Sequence, residues 1–321
     1  MVFTGGGIGD TLYHIGHFQG IAAQSQDRRI AIACKKGREI GELLAGGKAA
    51  FVSDVIALAT DQTRSGKVSI MRVARAFRAC RFDTIFCLHD SLSVALAARL
   101  AGIPRRIGYA VNGRRGLHCY TYRLSVPKDT PFPHWMSKAN RLLRSLDVPF
   151  DTAAARLVPS PGALAETSRV PAGAMLIALG VNASIPARQW GGARFAELAA
   201  RLAALRPEAW FLLYGASDTA EVADRIRADS GVSADRLVDL TRVGCPLHVS
   251  HAFLSRCMLY VGNDSSGANL AVMTGIPAVT LFGPNPPLAY SPLIRPVLSR
   301  DASMDGISVE AVLDGCLPLL G

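Results

Sequence analysis

Residues 258–287 read MLYVGNDSSGANLAVMTGIPAVTLFGPNPP. Two apolar runs, Met258-Leu259-Tyr260-Val261 and Pro277-Ala278-Val279-Thr280-Leu281-Phe282, enclose a polar knot. The knot is Asn263-Asp264-Ser265-Ser266-Gly267, with Asn269 close behind. Each apolar run is short and reads as a buried strand, with a helix between the two. A strand followed by Asp-Ser-Ser-Gly and a helix presents hydroxyls and free backbone N–H groups at a helix N-terminus, a setting suited to phosphate or sugar. Asp264 can instead accept from sugar hydroxyls. The plain structural reading is a helix cap.

The same alternation runs outward through the chain. Strands are expected over 2–4, 29–34, 51–58, 83–88 and 106–109, and helices over 11–23, 37–44, 68–80, 91–101 and 138–146. A proline-containing stretch of small residues, 149–173, then interrupts the pattern. Beyond it, strands are expected over 175–179, 210–214 and 237–240, and helices over 192–205, 219–229 and 247–255, before the stretch quoted above and a closing helix over 308–320. Alternating strands and helices imply parallel βαβ units. The expected fold is α/β: two doubly wound Rossmann-like domains over 1–155 and 174–321, joined by a linker over 156–173. Ligands should meet the C-terminal ends of both sheets, in a central cleft.

Composition narrows the function classes. Half of the 321 residues are hydrophobic, enough for two packed cores. The seven cysteines, at 34, 80, 87, 119, 245, 257 and 316, form no CxxC pair, which speaks for reduced thiols in the cytoplasm and against a zinc or disulfide framework. There is no apolar run of transmembrane length and no evident signal peptide. Charge is uneven: residues 1–150 carry 22 Lys+Arg against 10 Asp+Glu, and residues 151–321 carry 13 Arg against 15 Asp+Glu. A basic first half suits an anionic membrane surface or glycolipid. Charge alone also admits nucleic acid, but no nucleic-acid motif is present.

Two further loops share the position of the knot. Gly5-Gly6-Gly7-Ile8-Gly9-Asp10-Thr11-Leu12 follows the first strand and opens a helix. It fails the dinucleotide fingerprint, because in the frame that starts at Gly5 the third glycine falls on Asp10. Asp10 reads either as a helix N-cap or as a general base. The second loop, NASIPARQWGGARFAEL over 182–198, puts Ser184 and the forked donors of Arg188 where they can reach phosphate oxygens. Trp190 reads as a packing residue. Asp218 and Glu221, after the strand over 210–214, match a ribose-binding acid only loosely. His14, His17, His89, His118 and His134 show no triad partner.

In these motifs the chain resembles glycosyltransferase family 9, the ADP-heptose:lipopolysaccharide heptosyltransferases. The matching segments are Gly9-Asp10-Thr11-Leu12, Pro104-Arg105-Arg106-Ile107-Gly108-Tyr109, His134 with Leu142-Leu143, and Arg188-Gln189-Trp190-Gly191 with Arg194-Phe195-Ala196-Glu197-Leu198. The strongest runs from Asp264-Ser265-Ser266-Gly267-Ala268-Asn269-Leu270-Ala271 through Gly275-Ile276-Pro277 to Leu281-Phe282-Gly283-Pro284. The chain departs from the family pattern at Asn269 (for His), Ser266 (for Gly), Gly16 and Gly191 (each for Pro) and Arg188 (for Lys).

The resemblance implies a GT-B fold, with the acceptor on the first domain, the nucleotide sugar on the second, and an inverting transfer that needs neither metal nor cofactor. It implies that Asp10 is the catalytic base, on an acceptor-side loop that includes Gly7 and Gly9. It implies that Ser184, Arg188, Asp264, Ser265, Ser266, Gly267 and Asn269 form the donor site. The implied partners are a nucleotide sugar, ADP-heptose foremost, and an anionic glycolipid or glycan such as the lipopolysaccharide core. The implied location is the cytoplasm, with peripheral contact at the inner membrane surface. The competing class is a catalytically degenerate binding or scaffold protein of the same fold, motivated by Asn269 and Ser266. An NAD-dependent dehydrogenase is disfavoured by the failed fingerprint.

Overall fold

The computed structural model describes residues 1–46, 49–58, 69–111, 118–126, 135–242, 244–288 and 290–321. The chain divides into two compact units, Met1–Gly41 with Ala49–Ala155, and Arg156–Gly321 with Glu42–Lys48, so that the helix Gly37–Gly46 begins in the first and ends in the second.

The first unit is built on strands β1 (Val2–Phe3), β2 (Ile30–Cys34), β3 (Val52–Ala57), β4 (Thr84–Cys87), β5 (Arg105–Val111) and β6 (Tyr122–Val126), all parallel, in the order β3-β2-β1-β4-β5-β6. Helices α1 (Ile8–Leu12), α2 (Ile15–Ala22), α3 (Gly37–Gly46), α4 (Ile70–Cys80), α5 (Leu92–Leu100) and α6 (Trp135–Arg144) alternate with them. β1 and β2 are buried at every position, as strands covered on both faces must be. Phe3, Phe77, Ile85 and Val94 pack one core.

The second unit repeats the plan. Its strands are β7 (Leu176–Gly180), β8 (Trp210–Tyr214), β9 (Leu237–Asp239), β10 (Cys257–Asn263), β11 (Ala278–Phe282) and β12 (Ile294–Leu298), in the order β12-β11-β10-β7-β8-β9, again all parallel. Its helices are α7 (Pro161–Ala165), α8 (Gly192–Leu205), α9 (Ala220–Asp229), α10 (Leu247–Ser255), α11 (Ser266–Thr274) and α12 (Val309–Cys316). Counted from its own first strand, each sheet has the order 3-2-1-4-5-6. The order reverses between β1 and β4 in one unit and between β7 and β10 in the other, and ligands of such sheets bind at that point.

Three local features differ from expectation. The single helix expected over 11–23 is two helices, broken at Tyr13-His14. The break aims α2 so that Gly16 and Gly20, one turn apart, lie against the backbone of residues 149–152. A Cβ at either glycine would come within 2.3 Å of a carbonyl oxygen there. The edge strands β6 and β12 were not anticipated. Residues 156–173, read as a linker, contain α7 and are tied to the second unit. Leu157 N donates to Met273 O at 2.8 Å, and the Arg256 guanidinium donates to Thr167 O and Pro171 O.

In the second unit, β7 and β10 are tightly apposed where they end. A Cβ on Gly262 would sit 2.4 Å from Gly180 O, and one on Gly180 would overlap the Tyr260 hydroxyl. The Gly180 backbone cannot yield without breaking the β7–β10 ladder. Gly262→Ala is therefore expected to lower unfolding free energy by about 1–3 kcal/mol, read as a lower urea midpoint with an unchanged m-value.

Candidate active site

In the second unit, three loops converge at the β7–β10 switch point. β10 ends in Asn263, which is fully buried. Its Oδ1 accepts from Trp190 N at 3.1 Å, and its Nδ2 donates to Val181 O at 2.9 Å. One carboxamide thus fixes both ends of the loop after β7. Trp190 anchors the same loop from below. Its indole is buried, donates through Nε1 to Ile307 O at 2.9 Å, and stacks edge-on against Phe195. Trp190 is a packing residue, as its sequence context suggests. Gly191, the next residue, has φ +99°, a backbone that proline cannot adopt.

With the loop held this way, Arg188 closes a 3-10 turn (Pro186–Arg188) and its Nη1 lies 3.3 Å from Asp264 Oδ2. Asn285, on the segment after β11, donates to the same oxygen at 3.1 Å. The structure therefore brings together Arg188 and Asp264, two site candidates far apart in sequence, and adds Asn285. Asp264 keeps 14% of its side-chain surface and Arg188 29%, so both remain within reach of a ligand.

The adjoining helix start is built from the other knot residues. Ser265 is the N-cap of α11 and its Oγ accepts from Gly267 N at 3.2 Å. Ser265 thus realises the cap reading, and Ser266 occupies the first helical position. Gly267 is buried, and a Cβ there would meet the Tyr214 ring at 2.5 Å and the Tyr260 hydroxyl at 2.8 Å. Its role is to let α11 settle on that aromatic pair. Ser184 stands exposed on the loop after β7. Asp218 and Glu221 are exposed beyond β8.

Asn269 is buried and faces inward. Its Oδ1 accepts from the Tyr290 hydroxyl at 2.7 Å, and its Nδ2 donates to Ser265 O at 3.3 Å. Asn269 ties the first turn of α11 to the segment after β11. Asn263, Asn285 and Tyr290 were not among the sequence candidates. The available signal was weak: Asn263 is an amide ending an otherwise apolar strand, and Asn285 lies in the Pro-rich run after Phe282.

In the first unit, the glycine run after β1 serves Asp10. Gly7 is the N-cap of α1, and Asp10 is the third helical residue rather than the cap itself. It reaches back, Oδ2 accepting from Gly7 N at 2.7 Å. Its Oδ1 accepts from the Tyr13 hydroxyl at 3.0 Å. A Cβ on Gly6 would overlap Asp10 Oδ2, and Gly6 has φ +91°. Each carboxylate oxygen retains an acceptor position after these bonds. Gly9 lies within α1. His89, just past β4, approaches Gly5, whose Cβ would lie 2.9 Å from its Nδ1. His14 and His17 are buried and joined through their Nδ1 atoms at 2.9 Å, and His17 Nε2 meets Asn140 Oδ1 at 2.6 Å. His134 lies outside the described residues. Among the described residues, no group of three or more His, Cys, Asp or Glu is placed to hold a metal ion.

A model of glycosyltransferase family 9 (heptosyltransferase) matches residues 70–299. The chain belongs to that family. Three solved structures share the two-unit fold. E. coli ADP-heptose lps heptosyltransferase II is 20% identical, with 99% of this chain and 98% of that one covered and a TM-score of 0.77. A glycosyl transferase family 9 protein from Veillonella parvula DSM 2008 is 18% identical, with 99% and 96% covered and a TM-score of 0.78. E. coli heptosyltransferase WaaC, with ADP-2-deoxy-2-fluoro heptose, is 16% identical, with 99% and 98% covered and a TM-score of 0.72. No curated protein matches the chain. As a family 9 member with the GT-B architecture, the chain is a glycosyltransferase.

Burial pushes the His17 imidazole down to about 4, against which its bond to Asn140 acts weakly, and burial pushes His251 on α10 down to about 4 as well. Both are neutral when folded and take up protons more readily when unfolded. Their stabilisation is fully present above about pH 6.5 and is lost as pH falls toward about 4. The urea midpoint should drop across that window, and His251→Phe should make the drop shallower. An unchanged slope in that variant would contradict the assignment.

Proposed function

We propose that this family 9 enzyme is an inverting, metal-independent transferase that moves a heptose or related sugar from a nucleotide diphosphate, ADP-heptose foremost, to an anionic glycan such as the lipopolysaccharide core. The observation that carries the reading is the Arg188–Asp264 pair at the β7–β10 switch point, beside the Ser265-capped start of α11. A cation, a carboxylate and a helix N-terminus side by side match the parts of a nucleotide-diphosphate sugar: negative phosphates and a hydroxyl-rich ring. The related E. coli structure with ADP-2-deoxy-2-fluoro heptose supports the choice of ADP-heptose.

In this reading Arg188 and the N–H groups that open α11 hold the diphosphate, with Ser184 and Ser266 as hydroxyl donors. Asp264 accepts from the sugar hydroxyls. The acceptor oxygen attacks the anomeric carbon as the bond to the diphosphate breaks, so configuration inverts. Asp10 takes the acceptor's hydroxyl proton, and the Gly7 N–H and the Tyr13 hydroxyl hold its carboxylate in place. Charge grows on the departing diphosphate, where Arg188 stabilises it. Fixed protein charge thus does what a divalent cation does in other transferases. A glycolipid acceptor would bring the chain to a membrane surface, peripherally.

Asp10→Asn should keep donor binding and lose transfer by about 10²-fold or more, measured by product mass spectrometry under donor saturation. Full activity in that variant would remove Asp10 as the base. Arg188→Ala should lose the thermal shift given by ADP-heptose, and a shift retained in full would remove Arg188 from the donor site. If the wild-type chain binds donor but forms no product with any glycan acceptor, the degenerate binding reading replaces this one.

A further inference from the structure

We propose that the outer faces of α4 and α5 form a docking surface for an anionic lipid bilayer. Both helices pack on the first sheet through one face, α4 by Val73, Ala74 and Phe77 and α5 by Val94, Ala95, Ala97 and Ala98. The opposite faces are open. On α5, Leu92, Arg99 and Leu100 share the outer face at helical spacing, with Leu92 48% and Leu100 43% exposed. On α4, Met71 is 58% exposed and shares its stripe with Arg75 and Arg78, while Arg72 stands exposed beside it. The Arg78 guanidinium donates to Leu100 O, which joins the two stripes into one surface. Arg81, the residue that ends α4, and Arg105, the first of β5, are also exposed.

The chemistry of this surface selects its partner. Neither helix contains an acid, and the nearest in sequence, Asp83 and Asp90, lie in the turns flanking β4. Arginine clusters bind phosphate oxygens through paired N–H donors. Phosphate binding alone leaves no task for exposed Met71, Leu92 and Leu100. Together, apolar side chains rimmed by arginines match the boundary between lipid headgroups and acyl chains. Nucleic acid would use the arginines only, and a protein partner would ordinarily bring acids to meet them.

The idea rests on the glycolipid reading only for why a bilayer is met. The test uses vesicles without glycan, so its failure leaves the transfer reaction standing, and failure of transfer leaves the surface standing. The full chain is floated with phosphatidylcholine vesicles with and without phosphatidylglycerol, over a range of salt. Binding is expected with phosphatidylglycerol alone and should weaken as salt rises. Arg75→Glu with Arg99→Glu should reduce it about tenfold or more, and Leu92→Ser with Leu100→Ser should reduce the part that survives high salt. Arg28→Glu with Arg141→Glu, an equal charge change elsewhere in the first unit, is the control and should have a small effect. Circular dichroism checks that each variant is folded. Equal loss in the control would reduce the effect to net charge and overturn the proposal. So would absence of vesicle binding, or arginine-dependent retention on duplex DNA in its place.

Discussion

The carboxamide of Asn263 is the contact on which the second unit's corner depends. It stands at the last position of β10, buried, and bonds at once to the start and the end of the loop that follows β7. Without it, Val181 O and Trp190 N would each be a buried polar group with no partner, a cost of about 1–3 kcal/mol apiece. With it, both ends of the loop that carries the 3-10 turn are tied down, and Arg188 meets Asp264. The close approach of Gly180 and Gly262 sets the distance over which Asn263 must reach. Backbone packing, amide tie and charge pair form one chain of dependence.

The two units share a strand order but use their switch points differently. In the first, the glycines after β1 make room, and the polar contacts are local: Asp10 is held by residues three away on either side. In the second, the contacts span long stretches of sequence, and Asp264 is reached from the loops after β7 and β11. A local corner tolerates movement of the rest of the fold. A convergent one is only as well ordered as the sheet beneath it. In the second unit, buried Trp190, Tyr214 and Tyr260 lie beneath the loops.

Most of the fold was legible because parallel strands buried on both faces leave continuous apolar runs. The runs over 30–34, 210–214 and 278–282 needed no other clue. The edge strands were not legible for the same physical reason. β12, IRPVL, is half exposed and carries Pro296, which a sheet tolerates only at its edge. β6, YRLSV, alternates polar with apolar as a half-buried strand does, and so forms no continuous apolar run. Within the candidate site, position in a loop after a strand, together with the family resemblance, pointed to Asp10, Arg188 and Asp264. The amide ties were hidden because Asn263, Asn285 and Asn269 acquire meaning only from what lies opposite them in space. Asp10 shows the limit of a two-way choice between cap and base: it satisfies the cap's backbone N–H from the third helical position and still presents free lone pairs.

Asn269 has a consequence that reaches past packing. An imidazole at the start of α11, as the family pattern has it, is a group that can take up a proton. A carboxamide has no proton to gain. Bonded to Tyr290 and Ser265, it gives α11 the same electrical character in mildly acidic and neutral surroundings. α11 then carries no titratable side chain at all, and the charge at this corner is that of the Arg188–Asp264 pair.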